Sequence, residues 1–248
     1  MPLNDTFRPA NNLLAALPYE DSKLVLRYCE EVELIFSEEL CEQGQPVKYA
    51  YFPLDSFVSL AMSVPGHASI EIGLVGNEGM LGIQLILGIA TSPLQAQVQG
   101  EGIALRIEAE RLEYALRQSQ SLQHGLNRYV YVFMCQLTQT AVCSRLHKIE
   151  ARLARWLLIT QDRAHSDQFH LTHEFLAYML GVRRAGVSTA AGLLQQQKLI
   201  RYRRGDITIL DRHGLEKVAC SCYATVKELY EQMFNAQTTE TAGQDRSS

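Results

Sequence analysis

The residues with most chemistry to offer in this 248-residue chain lie between Leu171 and Leu210. Arg183, Arg184, Arg201, Arg203 and Arg204 occur there, with the hydroxyls of Thr172, Ser188 and Thr189. Guanidinium groups donate paired hydrogen bonds to phosphate oxygens or to the O6 and N7 edge of guanine, and hydroxyls suit phosphate or mixed base contacts. Such groups act together only if a rigid frame presents them on one surface, and the flanking pattern supplies one. Thr172 is a good helix N-cap with Glu174 in the first turn, and Phe175, Leu176, Met179 and Leu180 form a buried side. Gly181 permits a tight turn, plugged by Val182. A second helix starts near Arg184, with Val187, Ala190, Ala191 and Leu194 at i, i+3, i+4 and i+7. Its outer N-terminal part then carries Arg184, Ala185, Ser188 and Thr189, with Ala185 offering only a methyl contact. Segments 199–203 and 207–210 read as the strands of a wing around Arg204-Gly205-Asp206. Helix, turn, helix and wing is the order that offers a helix to the major groove of double-stranded DNA. The rival use of this frame is docking of a protein, which would make the chain an effector-sensing adaptor.

Charge is divided in the same sense. Residues 145–213 carry a local net charge of +6 and residues 1–144 one of −8, within a chain whose formal charge is −4. A basic module joined to an acidic one suggests a half that binds a polyanion and a half with another task. Apolar residues make up 47%, enough for real cores. The start, MPLNDTFRPANN, has neither a basic nor an apolar leader region, and the most apolar run, 72–90, is interrupted by Asn77, Glu78 and Gln84. With six cysteines and no secretory context, the expectation is a reducing, cytoplasmic protein with no membrane partner.

The remaining elements follow from periodicity. Residues 11–30 read as a short helix or helix pair. From 32 to about 107, runs such as 32–36, 49–54, 56–64, 68–75 and 102–107 alternate with Gly, Pro and Asn turns, as in a β-sandwich or jelly roll. A long helix over 121–145 has Leu122, Leu126, Tyr129, Val130, Phe133, Leu137, Val142 and Leu146 on one broad stripe, read as a seam between two copies of the chain. A helix over 149–163 points Leu153, Trp156, Leu157 and Ile159 inward and Arg152 and Arg155 outward. Residues 164–170 read as a loop, 215–234 as a last helix, and the polar stretch beyond 236 as disordered.

Across residues 11–223 the chain resembles the Crp-Fnr family of transcription regulators, most specifically in LTHEFLAYMLGVRR and LIRYRRGDITILDRHGL. The resemblance implies an α+β architecture. A double-stranded β-helix or jelly-roll barrel of the cyclic-nucleotide-binding type spans 11–120, a long dimerisation helix 121–146 and a winged helix-turn-helix 147–223. Beyond the resemblance, residues 224–248 read from their composition as a helix end and disordered tail. The resemblance also implies a homodimer on a palindromic operator, and RNA polymerase as partner if the chain activates. Arg184 falls where members commonly place a base-reading arginine. Two further specificity positions, typically a Glu and an Arg, are here Ala185 and Thr189, so a different operator is expected.

Members that bind cyclic nucleotides hold the ribose with a Gly-Glu pair and the phosphate with an Arg-Ser-Ala segment. Here Ile83 stands in place of that Glu and Leu94 in place of that Arg, and no Lys or Arg occurs between Lys48 and Arg106. A buried phosphate without a cation is costly, so the usual ligand is not expected. Gln84, Gln95, Gln97 and Thr138, with walls from Ile83, Leu85 and Leu94, are candidates to line a pocket for a neutral, unknown small-molecule effector; the alternatives are a filled pocket or a cyclic-nucleotide-responsive regulator after all. Glu78 reads as a turn residue.

No cofactor, metal site or catalytic set is expected. Only Cys29 and Cys41 lie in the first half, too few for a four-cysteine cluster within one subunit. Cys220-Ser221-Cys222 reads as part of the last helix with no nearby partner pair, and Cys135 and Cys143 as free cysteines of the long helix. His165, Asp167, His170 and His173 crowd one loop but read as solvated, and no nucleophile elbow or phosphate-cradling loop is present.

Overall fold

In the computed structural model, residues 11–66, 69–164 and 166–244 are described, with side chains as far as 235. Asn11 ties the first helix down. Its side-chain oxygen accepts from Leu14 N at 3.1 Å to cap α1 (Asn12–Ala16), and its Nδ2 donates to the carbonyls of Pro53 and Gly79, both at 2.9 Å. After α2 (Tyr19–Leu26), short strands build two sheets. In the first, β7 (Gly102–Glu108) is flanked by β1 (Glu30–Leu34) and β3 (Tyr49–Pro53), all antiparallel, with Val32 opposite Ala104 and Phe52 opposite Leu105. The second runs in the order β2 (Glu39–Cys41), β6 (Gln95–Gly100), β4 (Phe57–Met62), β5 (Ile70–Val75). Strands β3 and β4 are buried along almost their whole length, which is why they read as unbroken apolar runs. Strands β2 and β6 escaped the pattern reading. In β6 only Ala96 and Val98 turn inward, between glutamines, and so weak an alternation resembles a loop.

A 3-10 helix (Ile83–Leu87) lies between Gly82 and Gly88, both left-handed, and the helices α3 (Ala109–Gln118) and α4 (Gln120–Leu146) follow β7. Tyr129 of α4 accepts from Met80 N at 3.0 Å and donates to Met80 O at 3.2 Å. Its ring occupies the space a Cβ on Gly79 would need, so Gly79 is required for this approach. Glu78 is a turn residue, its carboxylate accepting from Gly76 N at 3.2 Å. Leu122, Leu126, Tyr129, Val130 and Phe133, the first part of the stripe expected at a dimer seam, are buried within their own chain. The face of α4 left open carries Val142 and Leu146 from the end of that stripe, together with Tyr131 and Met134, which lay outside it.

The chain groups into two units. One holds residues up to 58, 75–134 and 229 onward; the other holds 59–74 and 135–228. The second unit contains α5 (Ile149–Ala164), β8 (Gln168–His170), α6 (His173–Leu180), α7 (Arg184–Gln196), β9 (Ile200–Arg203), β10 (Asp206–Ile209) and α8 (Arg212–Val218); α9 (Cys222–Gln244) begins in it. Several expectations are corrected here. Residues 168–170 are a strand, not loop, because Phe169 pairs with Ile207 of β10. Arg152 and Arg155 do not point to solvent: both are half-buried, Arg152 donating to Leu180 O and Arg155 to Thr140 Oγ1. The single last helix is two, broken at residues 219–221, and the second continues past Phe234 to Gln244. Asp211 starts the first of these by accepting from Gly214 N at 2.9 Å. No helix among the described residues is long and apolar enough to cross a membrane.

Candidate nucleic-acid interface

The helix-turn-helix forms as its residue types require. Thr172 Oγ1 accepts from Phe175 N at 3.1 Å and caps α6, a contact worth ~1 kcal/mol. Gly181 ends α6 in the left-handed conformation, φ 61°, while Val182 N closes back on Ala177 O at 3.0 Å. Arg183 is the N-cap of α7, and Val187, Ala190, Ala191 and Leu194 all turn inward, as their spacing predicts. Gly186 lets α7 approach α5: a Cβ there would meet Ile149 Cδ1 at 2.8 Å. Phe175 is only partly buried, edge-on to Trp156 with ring centroids 6.4 Å apart.

With that face buried, Arg183, Arg184, Ala185, Ser188 and Thr189 are exposed along the start of α7. The hydroxyls are partly committed. Thr189 Oγ1 donates to Ala185 O at 3.1 Å, and Ser188 Oγ donates to Arg184 O at 3.1 Å and meets His173 Nδ1 at 2.9 Å. The arginines therefore hold the donors best placed for an outside acceptor.

The wing is a two-residue hairpin. Arg203 pairs with Asp206 across the turn, and Arg204 and Gly205 both have positive φ, 53° and 94°. Glycine takes that conformation freely; Arg204 is held there by the closure of β9 on β10. Arg201, Arg203 and Arg204 are all exposed. His173, read from the sequence as solvated, links wing to helix instead. Its ring stacks on Tyr202 with centroids 4.5 Å apart, and Tyr202 OH donates to Leu171 O at 2.9 Å. Burial, and then the Arg184 charge, push the His173 imidazolium below its ordinary range. The neutral ring joins α6, α7 and β9. Its crowded neighbours have other partners: His170 Nδ1 meets Asp206 Oδ1 at 2.8 Å and Asp167 accepts from Gln161 at 2.5 Å. His165 lies outside the described residues.

The residues considered for an effector pocket are less unified. Ile83 and Gln84 open the 3-10 helix, and Leu94, Gln95 and Gln97 lie just before or on β6, all half-buried. Gln97 Nε2 donates to Ser37 O at 3.1 Å. Thr138 is exposed on α4, in the other unit.

This geometry defines a winged helix-turn-helix protein. The sequence of residues 151–218 matches the family described as Crp-like helix-turn-helix domain, so this segment is a domain of that kind. The fold is also that of solved Crp/Fnr regulators. A structure assigned to the crp/fnr family from Eubacterium rectale ATCC 33656 is 16% identical, with TM-score 0.66, covering 83% of this chain and 96% of its own. TTHB099, a transcriptional regulator of the CRP family from Thermus thermophilus, is 20% identical, with TM-score 0.63 and coverage of 76% and 96%. The c-di-GMP responsive global regulator CLP of Xanthomonas campestris is 15% identical, with TM-score 0.63 and coverage of 77% and 99%. No curated protein matches the chain.

Proposed function

We propose that the chain is a cytoplasmic, homodimeric transcription regulator of the Crp-Fnr type that places α7 in successive major grooves of a palindromic operator. One observation carries this reading: Arg183 and Arg184 stand exposed at the start of α7, beside Ser188 and Thr189, while the opposite face is spent on the core. Arg201, Arg203 and Arg204 on the wing add sequence-independent phosphate contacts. The exposed Tyr131, Met134, Val142 and Leu146 of α4 supply the seam between two copies. Residues 11–120 serve as sensor, 121–146 as dimerisation helix and 147–223 as DNA-binding domain, with α9 running on beyond it. The sensor takes no cyclic nucleotide in the usual way, because Ile83 and Leu94 offer a phosphate and ribose nothing to bond.

The test is a pair of substitutions read on the operator recovered by genome-wide footprinting. Arg184→Ala should cost ~1–3 kcal/mol of discrimination at one base position of each half-site. Arg203→Ala should weaken binding to all sequences alike and make the salt slope shallower by about one ion. A protein-docking role for the winged helix predicts neither change.

A further inference from the structure

We propose that Cys143, His147, Cys220 and Cys222 form a structural zinc site that fastens the end of α4 to the start of α9. Two sequence-distant pairs meet here. Cys143 lies in the last turn of α4 and His147 just beyond its end, where His147 N donates to Cys143 O at 3.1 Å and keeps the two on one face. Cys220 lies in the break between α8 and α9 that the sequence pattern did not show, and Cys222 is the first residue of α9. All four ligand atoms lie within 4.8 Å of one another. Cys143 Sγ is 3.4 Å from Cys220 Sγ, and Cys222 Sγ is 3.4 Å from His147 Nδ1. Around a tetrahedral zinc, with bonds of about 2.3 Å to sulfur and about 2.0 Å to nitrogen, ligand atoms stand about 3.5–3.8 Å apart. Small adjustments therefore close the four onto one ion, whereas an iron–sulfur cluster needs its sulfurs spread over several irons.

The surroundings suit this charge and chemistry. Three thiolates and one Zn²⁺ leave a net charge of −1. The Arg155 guanidinium lies near enough to Cys143, and that of Arg152 near enough to Cys143 and Cys220, for their positive charge to act on the sulfurs. Arg155 Nε is buried with no hydrogen-bond partner. Gln139 Nε2 donates to Cys222 Sγ at 3.0 Å, the outer-shell bond that orients a metal-bound sulfur. Cys143, Cys220 and Cys222 are all buried, with Ala151 packed against them. The four ligands flank the Crp-like segment 151–218 on both sides, so the match to that domain does not supply them. Three buried cysteines and one half-buried histidine are the donor set of structural zinc.

The full-length protein, purified in reductant, should contain one zinc per chain by plasma mass spectrometry. After chelation, titration with Co²⁺ should give the intense visible bands and sulfur charge-transfer absorption of a tetrahedral thiolate site. Three thiols per chain should become reactive to a disulfide reagent only when the metal is removed. Cys143→Ser and Cys222→Ser should abolish stoichiometric binding, Cys135→Ser should keep it, and Gln139→Leu should weaken Co²⁺ affinity ~10–100-fold. The wild-type titration needs no variant to fold. The proposal is overturned if reduced wild-type protein takes neither zinc nor cobalt, or if bound cobalt is octahedral. Acid-labile sulfide, a Cys143–Cys220 disulfide in freshly isolated protein, or full metal content in both Cys143→Ser and Cys222→Ser would equally overturn it.

Discussion

Glu71 shows at the scale of one residue how the second unit uses polar groups. It sits in β5, buried, with Ser59 Oγ donating to one carboxylate oxygen at 2.7 Å and Trp156 Nε1 to the other at 2.8 Å. Burial outweighs both donors and the charges of Arg163 and Arg155, lifting its pKa from an ordinary 4.5 to about 7. Between these values the folded chain keeps a proton that the unfolded chain has released. Stability therefore falls as pH rises through this window, and the full loss is reached above the folded pKa. Glu71→Gln removes the titration and keeps oxygen and shape. Melting temperatures of the two proteins should diverge in favour of the variant between about pH 5 and about pH 8. Parallel curves would show that Glu71 is not the titrating group. Nothing in the sequence marked Glu71, because its partners lie 12 and 85 residues away.

At the scale of an element, α4 carries apolar residues of two kinds, enclosed and exposed. The pattern of its apolar residues was legible, but not which of them its own chain would enclose. Tyr129 and Phe133 are almost wholly enclosed by their own chain, whereas Tyr131 and Met134 remain 64% and 59% exposed. A helix cannot bury both faces against one barrel, so the second face is the one available to a second copy. Tyr131→Glu combined with Met134→Glu places two charges per chain on that seam. Light scattering should then report a monomer at concentrations where the wild type is a dimer, with helix content unchanged. The double variant should also lose the protected palindrome in a footprint, since one chain reaches only one half-site. A dimeric double variant would move the seam elsewhere.

Over the whole molecule, the split between an acidic and a basic part fits an arrangement in which one part meets DNA and the other does not. The proposed sensor is the less ordinary half. Calorimetry with cyclic AMP and cyclic GMP should show no saturable heat, because no lysine or arginine lies between Lys48 and Arg106 to meet the phosphate. Much of this architecture was readable from local signals. Caps, turn glycines and 3.6-residue spacing act within a few residues, so Thr172, Gly181, Arg184 and the inward face of α7 could be placed without knowing any distant contact. Weakly patterned strands such as β6, and the break before α9, were not readable, since their pairing and packing depend on distant partners. The cysteine cluster makes the same point: by sequence alone Cys220 and Cys222 had no companions, and only the return of the chain beside the end of α4 gave them Cys143 and His147. Sequence determined the helices and turns that carry the arginines, because short-range sterics and hydrogen bonds specify them. Tertiary structure decided which side chains meet across long stretches of chain, because that depends on packing no local pattern encodes.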